Sequence, residues 1–289
     1  VAVTIWTEGV AEGTLSRDAV ELLLNGNASM DTVVLTGTEA QSRVTAAAGL
    51  TYAFPAAQLW GGRLACGATV RYVKGLWVEE VTESRGELIT AAQGIDAQAQ
   101  LLARTANGGR GMAADVGLML EQSAGWSFGF SVTNLVGRLR WDGHPEAHAV
   151  SFSVDSVSLL NGSEAQVQSH DTSYAIAPFV TQLPTTLRIG ARKSFRSSSW
   201  MVQWEQGLAN STGSSNSPRL SGGAEWWLSS LLPLRAGLSL GGGGGVSASA
   251  GSGLYAGPFY VDVAMGLASG PVWGAAKGLA LAMNTGLRF

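Results

Sequence analysis

Charge is what this sequence has least of. Lys, Arg, Asp and Glu make up 13% of its 289 residues, about half the usual share of ~25%, which is too little for an ordinary soluble surface. The net charge of -3 leaves no basic field to hold a nucleic acid. A single cysteine, Cys66, excludes an internal disulfide and any C-x-x-C metal or redox motif. Long apolar runs are missing too. The longest uncharged stretch, 236 to 261, is interrupted by Gly241 to Gly245 and by serines, so nothing supplies the roughly 20 apolar residues of a membrane-spanning helix. Disorder is equally excluded, because 46% of the residues are hydrophobic and ten are Trp. The chain opens Val1-Ala2-Val3 with no Met and no charged-then-apolar leader, and the expectation is a signal peptide that was removed or lies upstream.

What is present is glycine, 39 of it, and a strict alternation of apolar with small or polar residues, the period of a strand with two unlike faces. Leu279, Leu281, Met283 and Leu287 alternate with Ala280, Ala282, Asn284 and Gly286. Phe259, Val261, Val263 and Met265 alternate with Tyr260, Asp262 and Ala264, and the segments around 44 to 52, 112 to 120 and 232 to 240 repeat the pattern. Charges sort onto the parity opposite the apolar one. Arg43, Arg71, Arg104, Asp115, Arg188, Arg192, Glu205, Arg219, Glu225, Arg235 and Asp262 are the candidates for an inner, lumen-facing surface. Lys193 and Lys277 depart from the rule, each near an expected strand end.

A charge on a lipid face at mid-depth costs about 2 to 4 kcal/mol, so lipid imposes this sorting. A soluble β-sandwich also alternates, but its polar faces meet water and carry Lys, Glu and Thr. Here those faces are rich in Gly, Ala and Ser. Segments of about ten residues match a tilted strand crossing a bilayer, and rings such as Tyr52, Phe54, Tyr72, Trp126, Trp200, Trp226, Tyr255 and Trp273 fall near segment ends, where an interfacial belt would lie. The fold expected is therefore all-β: one transmembrane antiparallel up-and-down β-barrel over residues 1 to 289. Fifteen candidate strands can be counted, among them 63 to 74 and 77 to 91, 94 to 105 and 111 to 122, and 125 to 140 and 148 to 156. Bacterial barrels favour even numbers, so about fourteen strands are expected, within a range of twelve to sixteen.

Two insertions interrupt the pattern. Ser16 to Asn27 reads as a short helix with Ser16 as N-cap and Gly26 as terminator, placed in the lumen or at the membrane surface. Asp142 to Leu183 is long, polar and broken by Pro145, Gly162 and Pro178. Its expected place is an extracellular excursion, since barrel loops are long on that side.

Several stretches then resemble a known superfamily. Gly111 to Trp141, with Asp115-Val116-Gly117, Trp126-Ser127-Phe128-Gly129-Phe130 and Asn134-Leu135, is similar to the paired-strand signature of the FadL-like barrels, including PorV-type proteins, and Leu183-Pro184-Thr185-Thr186-Leu187-Arg188 resembles the segment that follows it there. Leu22 to Asn27 and Gly67 to Gly75 are similar to an uncharacterised branch of that superfamily. The C-terminal Phe289 resembles the signal read by the barrel-assembly machinery. The resemblance implies the bacterial outer membrane, lipids and that machinery as partners, and no cofactor. It implies one of two roles: passage of hydrophobic or small solutes, or a non-transporting anchor barrel with envelope protein partners in secretion or surface attachment. The chain departs from the fatty-acid transporter branch in showing no N-terminal plug domain.

Candidate chemistry is sparse. His144, His148 and His170 share the long excursion with Asp142, Glu146 and Asp171; they suit zinc in type but have no ligand spacing, and solvated loop residues explain them as well. Gly241 to Gly245 lacks the Lys-Ser/Thr and helix of a phosphate loop. No Ser/His/Asp arrangement emerges, so no enzymatic activity and no metal are expected. The inner Arg and Asp/Glu residues either line a permeation path or pair to fill the interior.

Overall fold

A computed structural model describes the chain apart from residues 27–31, 92–93, 158–165, 210–213, 269–277 and 288–289. Alternating sequences of this kind can only satisfy their backbone groups by pairing with neighbours, and the chain does so in one antiparallel sheet of 18 strands. These are β1 (Ala2–Thr14), β2 (Thr32–Val34), β3 (Glu39–Leu59), β4 (Gly62–Ala91), β5 (Gly94–Ala106), β6 (Gly109–Gln122), β7 (Trp126–Thr133), β8 (Arg138–Trp141) and β9 (Glu146–Val157). They continue as β10 (Gln166–Ala175), β11 (Phe179–Gln182), β12 (Thr186–Ser194), β13 (Ser198–Gly207), β14 (Arg219–Trp227), β15 (Pro233–Gly241), β16 (Val246–Ala256), β17 (Phe259–Ala268) and β18 (Gly278–Leu287).

Several strands continue one another. β5 and β6 lie end to end along β4, from Ala91↔Gly94 to Val78↔Ala106 and from Gly75↔Gly109 to Gly62↔Gln122. Likewise β7, β8 and β9 run along β6 and β5, and β12, β11 and β10 run along β7, β8 and β9. The sheet therefore has twelve staves: β1, β3, β4, β5 with β6, β7 to β9, β10 to β12, and β13 to β18 singly, each antiparallel to the next. β2 is a short rung beside the far end of β4. With an even number of staves β1 and β18 run antiparallel, as the closing pair of an up-and-down barrel must. No pairing between those two edges occurs among the described residues. The sheet nonetheless curls on itself, since Glu12 of β1 lines one cavity with Glu205 and Arg219 of β13 and β14.

The twelve staves fall within the expected range of twelve to sixteen, two short of its central value. Each of the three pairs of candidate segments named above is a single stave. The cause is local. Successive inner-facing positions fall three apart, not two, at Gly75 and Val78 on β4 and at Ala106 and Gly109 opposite, and the register against β3 shifts at Val44/Thr45. A bulge of this kind resets the alternation without ending the strand. Within the excursion of 142 to 183, β9, β10 and β11 form paired strand.

On the outer face, the aliphatic residues stand exposed in rows, such as Leu234, Leu238 and Leu240, then Val261, Val263 and Met265, then Leu279, Leu281 and Met283. In β6 the apolar band runs from Met112 to Leu120. It is bounded at the long-connection end by a belt of exposed charge, Lys74, Arg110, Arg138 and Arg140, where Arg110 pairs with Asp142 at 2.8 Å. At the short-turn end it meets rings: Trp126 over Phe128 at 5.9 Å, Trp200 against Trp226 at 5.5 Å, Tyr52 beside Phe54 at 5.8 Å. Lys193 reaches from its outer-parity position into this girdle, its Nζ donating to the Ala124 carbonyl at 2.6 Å. Lys277 lies outside the described residues.

β4 alone has 30 residues, about 100 Å of strand at ~3.3 Å per residue, whereas β13 to β18 have nine to eleven each. The staves β4 to β12 thus carry the sheet well beyond the charged belt. There β2 pairs with β4, and α1 (Arg17–Asn25) packs beside β2. The helix begins as the sequence foretold: the Ser16 hydroxyl accepts from the Ala19 amide at 3.2 Å, and Gly26, at φ 68°, returns its amide to the Leu22 carbonyl. Ser16 also donates to the Val34 carbonyl, and Asp18 accepts from the Val34 amide, so α1 is fixed to this extension and not inside the barrel.

Candidate functional site: the inner face of the sheet

Alternation puts the sequence-selected charges on the face that carries the cavities and the buried cluster, and there they meet one another. The Arg71 guanidinium is 2.5 Å from Asp115. Glu205 binds Arg188 at 2.6 Å and stands 3.7 Å from Arg219. Arg235 bridges Glu225 at 2.8 Å and Asp262 at 2.5 Å. These pairs arise because neighbouring staves place opposite charges directly across from each other, as in Arg188↔Glu205, Glu205↔Arg219 and Glu225↔Arg235. Arg192 donates to the Ser199 hydroxyl at 3.1 Å. Arg43 is buried beside β1. Arg104 sits higher, beyond the bulge, where Nε and Nη2 both reach Glu80 and the guanidinium lies 4.3 Å from the Phe179 ring. Phe289 lies outside the described residues.

The interior has two unlike halves. Across β3, β4, β6 and β8 it is filled. Ala47, Val73, Val78, Ala106, Ala113, Leu139 and Trp141 form a buried cluster against which Trp6, Phe179 and Leu183 pack. Trp141 is fully buried and its indole donates to Thr181 at 2.9 Å. Its ring lies flat over Gly75 and Gly109, where any β-carbon would come within 2.5 and 2.8 Å of ring atoms. Beside this cluster the wall turns a corner at Asn134, at φ 56°, a conformation Asn tolerates better than most residues. Its amide donates to Asp115 at 2.8 Å, its side chain donates to the Pro184 carbonyl and accepts from Arg71, and its carbonyl accepts from Thr185.

Along β13 to β18 the interior is open. A cavity of about 760 Å³ lies over Gly223, Gly237, Ser249, Gly251, Ala264 and Ala282, with Arg235, Glu225 and Asp262 at its lower border. One row nearer the short turns stand three rings. Trp227 meets Tyr255 edge-on at 5.2 Å, and Tyr255 is nearly parallel to Tyr260 at 5.5 Å. The sequence reading put Tyr255 in the interfacial belt. Its parity, shared with Ser249 and Gly251, instead directs it inward to Arg235 and Asp262. A second cavity of about 1020 Å³ opens at the long-connection end, bordered by Glu12, Glu39, Glu80, Arg104, Arg219 and Gly242 to Gly244.

The histidines do not converge on a ligand set. His148 is held between the Thr105 and Ser173 hydroxyls at 3.1 and 2.8 Å, His170 lies in β10 opposite Ser151, and His144 occupies a bend at φ 47°. No group of metal-ligating residues occurs among the described residues, and none of its helices is long and apolar enough to cross a membrane. Sequence reasoning missed Glu80, Asn134, Trp6 and Trp141 as inner-face residues. Glu80 and Trp141 lie next to the bends where the alternation resets; Asn134 was legible only as part of a motif.

No family model matches the chain, and no curated protein matches it. Among solved structures it is similar to the Pseudomonas putida toluene transporter TodX, at 9% identity and a TM-score of 0.42, over 98% of this chain and 85% of that one. It is also similar to the CymD monoaromatic hydrocarbon channel, at 10% identity and a TM-score of 0.40, over 98% and 86% of the two chains. A porin of Rhodopseudomonas blastica shows 12% identity and a TM-score of 0.30, with 98% of each chain covered.

Proposed function

We propose that the protein is a bacterial outer-membrane β-barrel of FadL-like type that passes hydrophobic or small solutes through its interior. The observation that carries this reading is the sorting of the two faces. The outer face is aliphatic between a charged belt and an aromatic girdle, as lipid requires. The inner face has bridged charge clusters, small residues and an open cavity. Water is the worse solvent for the first, and a packed soluble core has no use for the second. The inner charges gather into clusters of opposite sign at the two ends of the open wall, Arg188, Glu205 and Arg219 at one and Glu225, Arg235 and Asp262 at the other, an arrangement that favours uncharged solutes over ions of either sign.

The test is purification in detergent and reconstitution into liposomes. Heat-modifiable migration on gels and liposome swelling by uncharged probes are the expected results. A protein monodisperse without detergent removes the barrel reading, and liposomes that neither swell nor conduct remove transport.

A second reading, an anchor barrel for envelope proteins, is favoured by one feature: the staves β4 to β12 continue past the charged belt and end in α1 and the outer strand β10, whose residues from Gln168 to Ala175 are all exposed. If long barrel connections face outward, this extension is extracellular. Isolation from native membranes as a stable multiprotein particle supports this reading, and isolation as a bare barrel counts against it.

A further inference from the structure

We propose that the solute path runs down the β13 to β18 side of the interior and ends on a shelf formed by Trp227, Tyr255 and Tyr260, which takes uncharged molecules with a flat apolar face. This rests on the transport reading above and says where that transport occurs. The opposite side offers no room, since Trp141, Leu139, Val73 and Val78 are buried there at 2% exposure or less. The corner at 134 to 137 is closed as well. Besides the four bonds of Asn134, the Leu135 amide donates to the Ala114 carbonyl at 2.8 Å and the Leu183 amide to the Gly137 carbonyl at 3.0 Å, so both neighbouring staves hold it.

What is open is the wall of β13 to β18, and it is bordered at each end by charge. Arg188, Glu205 and Arg219 lie at the long-connection end, and Glu225, Arg235 and Asp262 near the short turns. Arg219 and Glu225 are six residues apart on β14, about 20 Å of strand. The first cluster has two arginines to one carboxylate and the second one arginine to two, so the two are of opposite sign and an ion of either charge meets one that repels it. Below the second cluster come the rings. Their polar tips are already used: the Tyr255 hydroxyl donates to Asp262 and accepts from Arg235, and the Trp227 indole donates to Glu225 at 3.0 Å. The contact they have left to offer is ring surface. Tyr260 lies against Gly286, where a β-carbon would fall 2.5 Å from its hydroxyl oxygen and 2.6 Å from ring carbons. The wall has thus been cut back to seat that ring.

The test uses the full chain in liposomes, with influx of 4-nitrophenyl glucoside, uncharged and flat-faced, against 4-nitrophenyl phosphate. Ser249→Cys lines the open side and Val136→Cys marks the corner. Each is folded first and then labelled with a bulky disulfide-forming reagent, with labelled wild type as the control for Cys66. Labelling at 249 is expected to stop most glucoside influx, reductant is expected to restore it, and labelling at 136 is expected to leave it unchanged. Tyr255→Phe keeps the ring and half-saturates as wild type does, whereas Tyr255→Ala needs about fivefold more glucoside. The phosphate should enter poorly throughout. Block at 136 but not at 249, or Tyr255→Ala behaving as wild type, overturns the path and leaves transport standing. Wild type that passes neither probe removes both.

Discussion

At Asn134 one residue joins three staves. Its left-handed backbone would cost an ordinary residue about 1 to 2 kcal/mol, and its side chain links Arg71 to the Pro184 carbonyl. Asn134→Ala is therefore expected to destabilise the folded barrel by about 2 to 4 kcal/mol, adding the backbone cost to the lost charge-assisted hydrogen bond. Asn134→Gly, which keeps the conformation, should lose roughly half as much. The temperature at which the compact gel band gives way to the unfolded one measures both, and equal losses for the two variants would remove the backbone part of the argument. The role of Asn134 was only half legible in the sequence. A short polar residue after an apolar run marks a turn, but its partners Asp115 and Pro184 come from other staves, and no local pattern announces them.

Among the elements, the short staves β13 to β18 were readable to within a few residues because one parity meets lipid along their whole length and alternation never resets. The long staves were not. Between Gly75 and Val78 the inner parity changes, so a search for period two ends one strand and starts another where the backbone continues. The extra residue against β3 is Leu76, and its deletion tests this account. Removing it leaves Val78 two residues and Glu80 four residues after Gly75, so strict alternation holds both inward and the shift against β3 closes. Deleting Val70, from the regular part of β4, instead slips the register and reverses every side chain on one side of the gap. The expected outcome is a large loss of heat-modifiable protein for the Val70 deletion and a much smaller one for the Leu76 deletion. Equal losses would show that Leu76 is not the extra residue of a bulge.

For the molecule as a whole, the lower charge cluster decides what an ion encounters. Arg235→Leu leaves Glu225 and Asp262, both largely shielded, with no arginine between them. The negative field at the ring-lined end of the interior is then strengthened. Conductance in planar bilayers should shift toward cations, read as a reversal potential under a salt gradient, and the folded band should melt earlier because breaking a partly buried pair strands its partner. An unchanged reversal potential would mean that permeating ions do not pass this cluster.

The belt of Lys74, Arg110, Arg138 and Arg140 and the girdle of Trp126, Trp200 and Trp226 are fixed to one rigid sheet, and between them β6 offers only the nine residues from Met112 to Leu120 to hydrocarbon. At ~3.3 Å per residue and a tilt near 40° that is about 22 Å, several ångströms less than an average bilayer core. The protein therefore acts as a gauge of its surroundings. A thin membrane suits it as it stands, while a thicker one must pinch inward around it, and the cost of that deformation falls when two such barrels stand side by side.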